Sequence, residues 1–196
     1  MSNILISSPP EYLEVDGKLY KINTDFRHAL SIMLAFEDET LAQQEKAEVL
    51  LLCIYGDNIP PNIQKAYEKA LWFLNCGKAT DEDKNAKTPI RTFSFSKDAN
   101  LIYAAFRQTH NIDLDTAQMH WWKFFALFMD LGSETTFCQL ISLRHRHYKG
   151  KTTKEEKQAI SEMGDLFDVP EIDDRTLEQK IAEAKFMELL EKGNKK

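Results

Sequence analysis

The side chains whose types and spacing invite a chemical reading are three histidines and a pair of tryptophans. His120 adjoins Trp121 and Trp122, an imidazole among aromatic rings that would suit proton transfer or the gripping of a ligand. His145 and His147 alternate with Arg144 and Arg146. On a helix, residues two apart point about 200° from each other, so these histidines make poor joint metal ligands. The plain reading is a set of cationic groups at a helix C-terminus, complementing its dipole. The sharper one is a basic contact for a phosphate or an acidic partner, extended by Lys149 and Lys151.

Local motifs that would give these groups a reaction are missing. No glycine loop for nucleotides, no GxSxG, no HExxH and no paired Cys/His spacing occurs. The seven glycines mostly stand where turns or helix ends need them. Cys53, Cys76 and Cys138 are odd in number, far apart and set in apolar patterns, which predicts buried, reduced thiols rather than disulfides. The expectation is therefore no catalytic residue, no cofactor and no metal. An enzyme built on His120 or on the His145/His147 region, from residues that converge only in space, is the least favoured alternative.

The elements that position these residues follow from periodicity. Leu13 to Ile22 alternates around Asp16-Gly17, which predicts a β-hairpin with Leu13, Val15, Tyr20 and Ile22 on its apolar face. From Asp25 the spacing becomes helical through Phe26, Ala29, Leu30, Met33 and Phe36, capped by Thr24 or Asn23. Thr40 with Gln43 reads as the capping box of a second helix that Gly56 stops. Pro60 and Pro61 open a third, which Gly77 closes. Lys78 to Thr92 lacks periodicity and reads as a mobile loop, and Arg91 to Phe95 is a candidate third strand. Ser96 is the expected cap of a helix carrying Ala99, Ile102, Tyr103 and Phe106.

The His-Trp-Trp block falls in a helix expected to run from Leu114 to Leu131. With about 100° per residue, Trp121, Trp122, Phe124, Phe125, Leu127, Phe128, Met129 and Leu131 cover most of its circumference, leaving His120, Lys123, Thr116 and Asp130 on a narrow strip. A helix so apolar belongs at the centre of a bundle or against a partner. His120, Trp121, Trp122, Phe124, Phe125 and Phe128 are accordingly read as core, with the imidazole hydrogen-bonded at its margin, rather than as a ligand groove. A Ser133-capped helix with Phe137, Leu140 and Ile141 follows.

Residues 151–196 differ in character, with nine basic and twelve acidic residues, as solvated helices would have. Thr153 to Phe167 and Asp173 to Leu190 are the helical candidates. The second either packs back on the domain or forms an amphipathic arm that orders on a partner. A net charge of -6 opposes attraction to nucleic acid or anionic membranes. No leader pattern opens Met1 to Glu11 and no apolar run approaches a membrane span, so a cytosolic location is expected.

Met119-His120-Trp121-Trp122-Lys123-Phe124 followed by Ile141-Ser142-Leu143-Arg144 resembles the bacteriophage gene-fifteen-product family of Listeria-type long-tailed phages. Asp98, Ile102-Tyr103, Phe106, Ile112-Asp113-Leu114 and the hairpin running into Asp25-Phe26-Arg27 look like the same family. The resemblance covers roughly residues 10–167. It implies a tail-assembly chaperone that acts in the host cytoplasm on the phage tape-measure protein, the major tail protein, or both.

Together these readings predict a mainly α (α+β) chain: an N-terminal β-hairpin packed on a bundle of about six helices in residues 1–150, then a charged helical extension in 151–196. Function is expected to be non-catalytic binding, with Arg144, Arg146, Lys149, Leu177, Ile181, Phe186 and Leu190 as partner-binding residues and self-association left open. A structural component retained in the tail is the alternative.

Overall fold

A computed structural model describes residues 5–78 and 91–169. It is mainly helical, with one small antiparallel hairpin. Strands β1 (Tyr12–Val15) and β2 (Lys18–Lys21) pair in the register Leu13↔Tyr20 and Val15↔Lys18. Asp16 and Gly17 supply the expected turn, both at positive φ, 51° and 78°. Leu13 and Val15 are buried, and Tyr20 meets the Tyr55 ring edge-on. Asp16 also accepts from Asn62 Nδ2 and pairs with Lys65, which fastens the hairpin tip to the third helix.

Helices α1 (Phe26–Glu37), α2 (Gln43–Tyr55) and α3 (Ile63–Leu74) pack in succession, and β1 lies on α3. Their caps sit one or two residues from those expected. Asp25, not Thr24 or Asn23, caps α1 by accepting from Arg27 N. Asn23 is occupied elsewhere, donating to Cys53 O, and the carbonyl of Thr24 accepts from Trp121 N. At α2 the reciprocal contact comes from Glu45, whose carboxylate takes the Ala42 N–H at 2.7 Å, while Thr40 bonds Asp38. Asn62 caps α3 through Lys65 N.

The expected loop Lys78 to Thr92 lies mostly outside the described residues. Arg91 to Phe95 is not a strand. A carboxylate replaces a sheet partner for this backbone: Glu37 accepts from Phe95 N, Ser96 N and Ser94 Oγ and pairs with Arg91. Ser94, rather than Ser96, caps the turn that follows, accepting from Lys97 N while Asp98 takes the Ser94 N–H. Helix α4 (Ala99–His110) then runs to Asn111, which is left-handed at φ 53°.

The aromatic helix α5 is shorter than its hydrophobic pattern, spanning only Trp121–Met129. Leu114, Asp115 and Ala117 cannot join it because their carbonyls are taken by another group. Arg27 donates to Leu114 O, Asp115 O and Ala117 O, holding that stretch as a turn. Thr135, not Ser133, caps α6 (Thr136–Tyr148). Helix α7 (Lys154–Met163) begins with the Thr153/Glu156 capping box, and a 3-10 turn at Gly164–Leu166 follows. The expected helix Asp173 to Leu190 lies outside the described residues. No helix described is long and apolar enough to cross a membrane.

The core centres on Phe124. Its ring stacks at 4.8 Å on both Phe26 of α1 and Phe106 of α4, and it is wholly buried. Trp121 stacks beside it, and Ile32, Ile54, Phe73 and Phe137 belong to the same continuous cluster. Each such large apolar side chain contributes roughly 1.5–3 kcal/mol by leaving water.

Candidate partner-binding site

The residues that looked most chemical are used to join helices. His120 precedes α5 as its N-cap: Nδ1 accepts from Trp122 N at 3.0 Å, and Nε2 lies 3.1 Å from Pro10 O. An accepting Nδ1 leaves the proton on Nε2, which donates to the Pro10 carbonyl. Burial holds the imidazole below the ordinary histidine range, outweighing that hydrogen bond, which favours the charged form. Asp25 and His120, the caps of α1 and α5, face each other in an antiparallel bridge, with Phe26 N donating to Met119 O and Trp121 N to Thr24 O.

The indole N–H groups of Trp121 and Trp122 reach the carbonyls of Leu74 and Phe73 at 2.9 and 2.8 Å. These are the last carbonyls of α3, which have no partner within their own helix. The pair of tryptophans thus closes a helix end while filling the core. Gly77 makes room for them: at φ 78°, a Cβ there would stand 3.0 Å from the Trp122 ring. Phe124 and Phe128 are buried beside Trp121 and Trp122, while Phe125 and His120 are half-buried. The helix is not buried all round, however, since Lys123, Ala126 and Met129 face outward.

The expected basic patch divides. Arg144 is fully buried rather than presented to a partner. Its guanidinium pairs with both Asp98 oxygens at 2.7 and 3.0 Å and donates to Thr92 O, Leu166 O and Phe167 O. The physical cause is legible on a helical wheel: Phe137, Leu140 and Arg144 stand at i, i+3 and i+7, one face of α6. Every donor direction has a partner, as a buried guanidinium requires. Asp98, absent from the candidate residues, is the other half of this clamp; its position one turn before buried Ile102 was the available signal.

Arg146 faces the other way, half-exposed. It donates to Glu156 through Nε and Nη2 and to Ser142 Oγ through Nη1. Glu156 is held below the usual carboxylate range by the Thr153 N–H and then by Arg146. Lys149 is exposed at the end of α6, beside the exposed His145 and His147. The imidazole of His147 lies 5.1 Å from the Phe167 ring. Leu177, Ile181, Phe186 and Leu190 lie outside the described residues.

Between α6 and α7 a cleft of about 530 Å³ opens to solvent. Leu101, Leu140, Leu143, Met163 and Leu166 supply its apolar lining, with Arg146 and Glu156 at one wall. Helix α7 buries no residue completely. It is suspended between the Arg146–Glu156 pair and Phe167, which is buried and whose carbonyl Arg144 holds. The cleft has the volume of a small-molecule pocket; Ser133, Thr136, Gln139 and Ser142 also line it, while Arg146 is already engaged by Glu156 and Ser142. It suits apolar side chains presented by another chain segment.

No group of three or more metal-binding side chains occurs among the described residues. The three cysteines are half-buried and not bonded to one another. Burial raises the thiols of Cys53 and Cys76, the latter to about 11, which keeps them protonated at neutral pH.

A family model described as Bacteriophage Gp15 protein matches residues 5–169. That span ends with the last described residue, Val169. No curated protein and no solved structure matches the chain.

Proposed function

The chain belongs to the bacteriophage Gp15 family, and on that premise we propose that it is a tail-assembly chaperone, working by reversible binding to the tape-measure protein, the major tail protein, or both. The observation that carries the reading is the cleft between α6 and α7, where exposed Met163 and Leu166 and half-buried Leu143 line an opening over buried Leu140. A tape-measure chain is a long amphipathic helix, whose apolar face needs shielding until the tail tube forms around it. Side chains at i, i+3 and i+4 of such a helix match a cleft of this kind. The partner-binding residues on this reading are Arg146 and Lys149 at the end of α6, with Leu177, Ile181, Phe186 and Leu190 beyond the described fold. The host cytoplasm is the place of action.

Co-expression with the tape-measure and major tail proteins tests the proposal. A chaperone co-purifies with at least one of them and is missing from mature particles by mass spectrometry. Failure of both pull-downs removes the proposed partners, and stoichiometric presence in purified virions would make it a retained tail component.

A further inference from the structure

We infer that α7 is a strap hinged at both ends beside the cleft, that the Arg146–Glu156 pair latches it, and that its outward swing admits the body of a partner helix. The inference rests on the cleft being the binding site and concerns how that site opens.

Both ends of α7 are tied while its middle is not. At one end Gly150 N and Lys151 N donate to His147 O and Arg146 O, closing α6, and half-buried Thr152 with exposed Thr153 leads into α7. At the other, Arg144 holds the carbonyls of Leu166 and Phe167, and the Phe167 ring is buried. Between these anchors no residue of α7 is fully buried. Gly164, at φ 52° and ψ -132°, joins the helix to its inner anchor in a conformation that glycine alone adopts freely. A Cβ there would meet nothing within 4 Å, so the backbone can turn at this point without striking a neighbour.

Little holds the middle down. Glu156, Ala159, Ile160 and Met163 recur at i, i+3, i+4 and i+7, one face of α7. The first three are half-buried and Met163 is 38% accessible, so this face is turned inward but not sealed. Among the described residues, the one ion pair that α7 makes is that of Glu156 with Arg146, at 2.6 Å. Glu156 Oε2 keeps the helix start by taking the Thr153 N–H, leaving Oε1 to Arg146. The latch can therefore let go without unwinding the helix.

Size gives the swing its purpose. A three-turn helix is about 16 Å long and 10–12 Å across, roughly 1,300–1,800 Å³, against about 530 Å³ in the cleft. As it stands the cleft takes one row of side chains. The helix that carries them comes fully against Leu143 and Met163 only when α7 stands away.

A neutral dye that brightens in apolar surroundings reads the opening on the full-length chain alone. Arg146→Gln and Glu156→Gln each undo the latch, and the second keeps a side chain able to cap α7. Each should raise dye binding about 1.5- to fivefold, the range that an exposed ion pair carries, with the denaturation midpoint unchanged. The gain should vanish when Met163→Asp is added at the cleft mouth, and Lys157→Gln, on the exposed side of α7, should produce none. Unchanged dye binding in both latch variants overturns the inference, as does a gain that survives Met163→Asp or comes with a fall in the midpoint. Arg146→Cys with Glu156→Cys, joined by a short bifunctional maleimide, holds the strap in place. Bridging should return dye binding to the parent level and cut recovery of the tape-measure or major tail protein at least about fivefold against the unbridged pair. Equal recovery before and after bridging overturns the swing as the way in. If the unbridged chain recovers neither protein, the proposed partners fail, while the dye measurements still decide the strap.

Discussion

Arg144 and Arg146 stand two residues apart on α6, about 200° around the helix, and they represent two differently built regions. On the inner side, Arg144, Asp98 and the aromatic block around Phe124 form a region in which polar atoms are enclosed and satisfied. On the outer side, Arg146 bridges to Glu156 across a cleft whose apolar lining remains open. The inner region shows that tryptophan, histidine and arginine can look chemical in a sequence and be spent on closing helix ends. The outer one has plainer residues and is the surface that the proposed binding would use.

The contrast breaks most readily at Arg144. Replacing it with Ala strands the Asp98 carboxylate in the core and should lower stability by about 3–5 kcal/mol, read by urea denaturation. If Arg144→Met combined with Asp98→Leu recovers much of that loss, the cost lies in the unpaired charge rather than in packing. A loss for Arg144→Ala as small as that of a surface substitution would show the clamp to be open to water. Phe124→Ala, by removing the ring between Phe26 and Phe106, should cost about 3–5 kcal/mol. That loss should appear in the same cooperative transition if α1, α4 and α5 share one core.

A smaller effect is expected at His120. Ala there removes the cap of α5 and should cost about 0.5–2 kcal/mol. Because burial lowers the folded value, the unfolded chain takes up the proton more readily. The imidazole's contribution is therefore complete above its unfolded value near 6.5 and is lost as pH falls through the lower folded value. Asn at this position keeps a capping acceptor without a proton to gain. His120→Asn should thus lose less stability than the parent chain between about pH 7 and pH 5.5, and an identical loss would mean that the ring does not titrate as the cap.

The smallest effect on folding is expected outside. Arg146→Ala should leave the denaturation midpoint nearly unchanged, since the pair it breaks is solvated. Faster hydrogen exchange across residues 154–163 should reveal the loosened α7. A large fall in global stability would join α7 to the core and erase the distinction between the two regions.

Much of this division was legible in the sequence. Asp16-Gly17 located the hairpin and its register because that dipeptide tolerates the two positive φ angles. The apolar stripes located α1 to α4 and α6, since burial on one face leaves a period of about 3.6. Caps were displaced by a residue or two where a side chain was claimed by a distant partner, as Asn23 is by Cys53. The length of α5 was overread because periodicity cannot register that Arg27 holds the carbonyls of 114, 115 and 117. Arg144 was grouped with its basic neighbours by type, although its spacing from Phe137 and Leu140 already placed it on the buried face. The cleft had no sequence signal of its own, because it arises from how α7 hangs across α6.

The bridge between Asp25 and His120 also bears on the order in which the molecule assembles. The starts of α1 and α5 are ninety-five positions apart in the chain, yet each start supplies a hydrogen bond to the strand-like residue before the other. During synthesis the hairpin and α1 to α3 therefore emerge with Phe26 and the end of α3 still waiting for the Trp121 segment. Closing a loop of that length is an entropic barrier. The N-terminal half should accordingly ripen late, only once α5 has left the ribosome, and pulse-labelled exchange during refolding would find α1 and α5 gaining protection together.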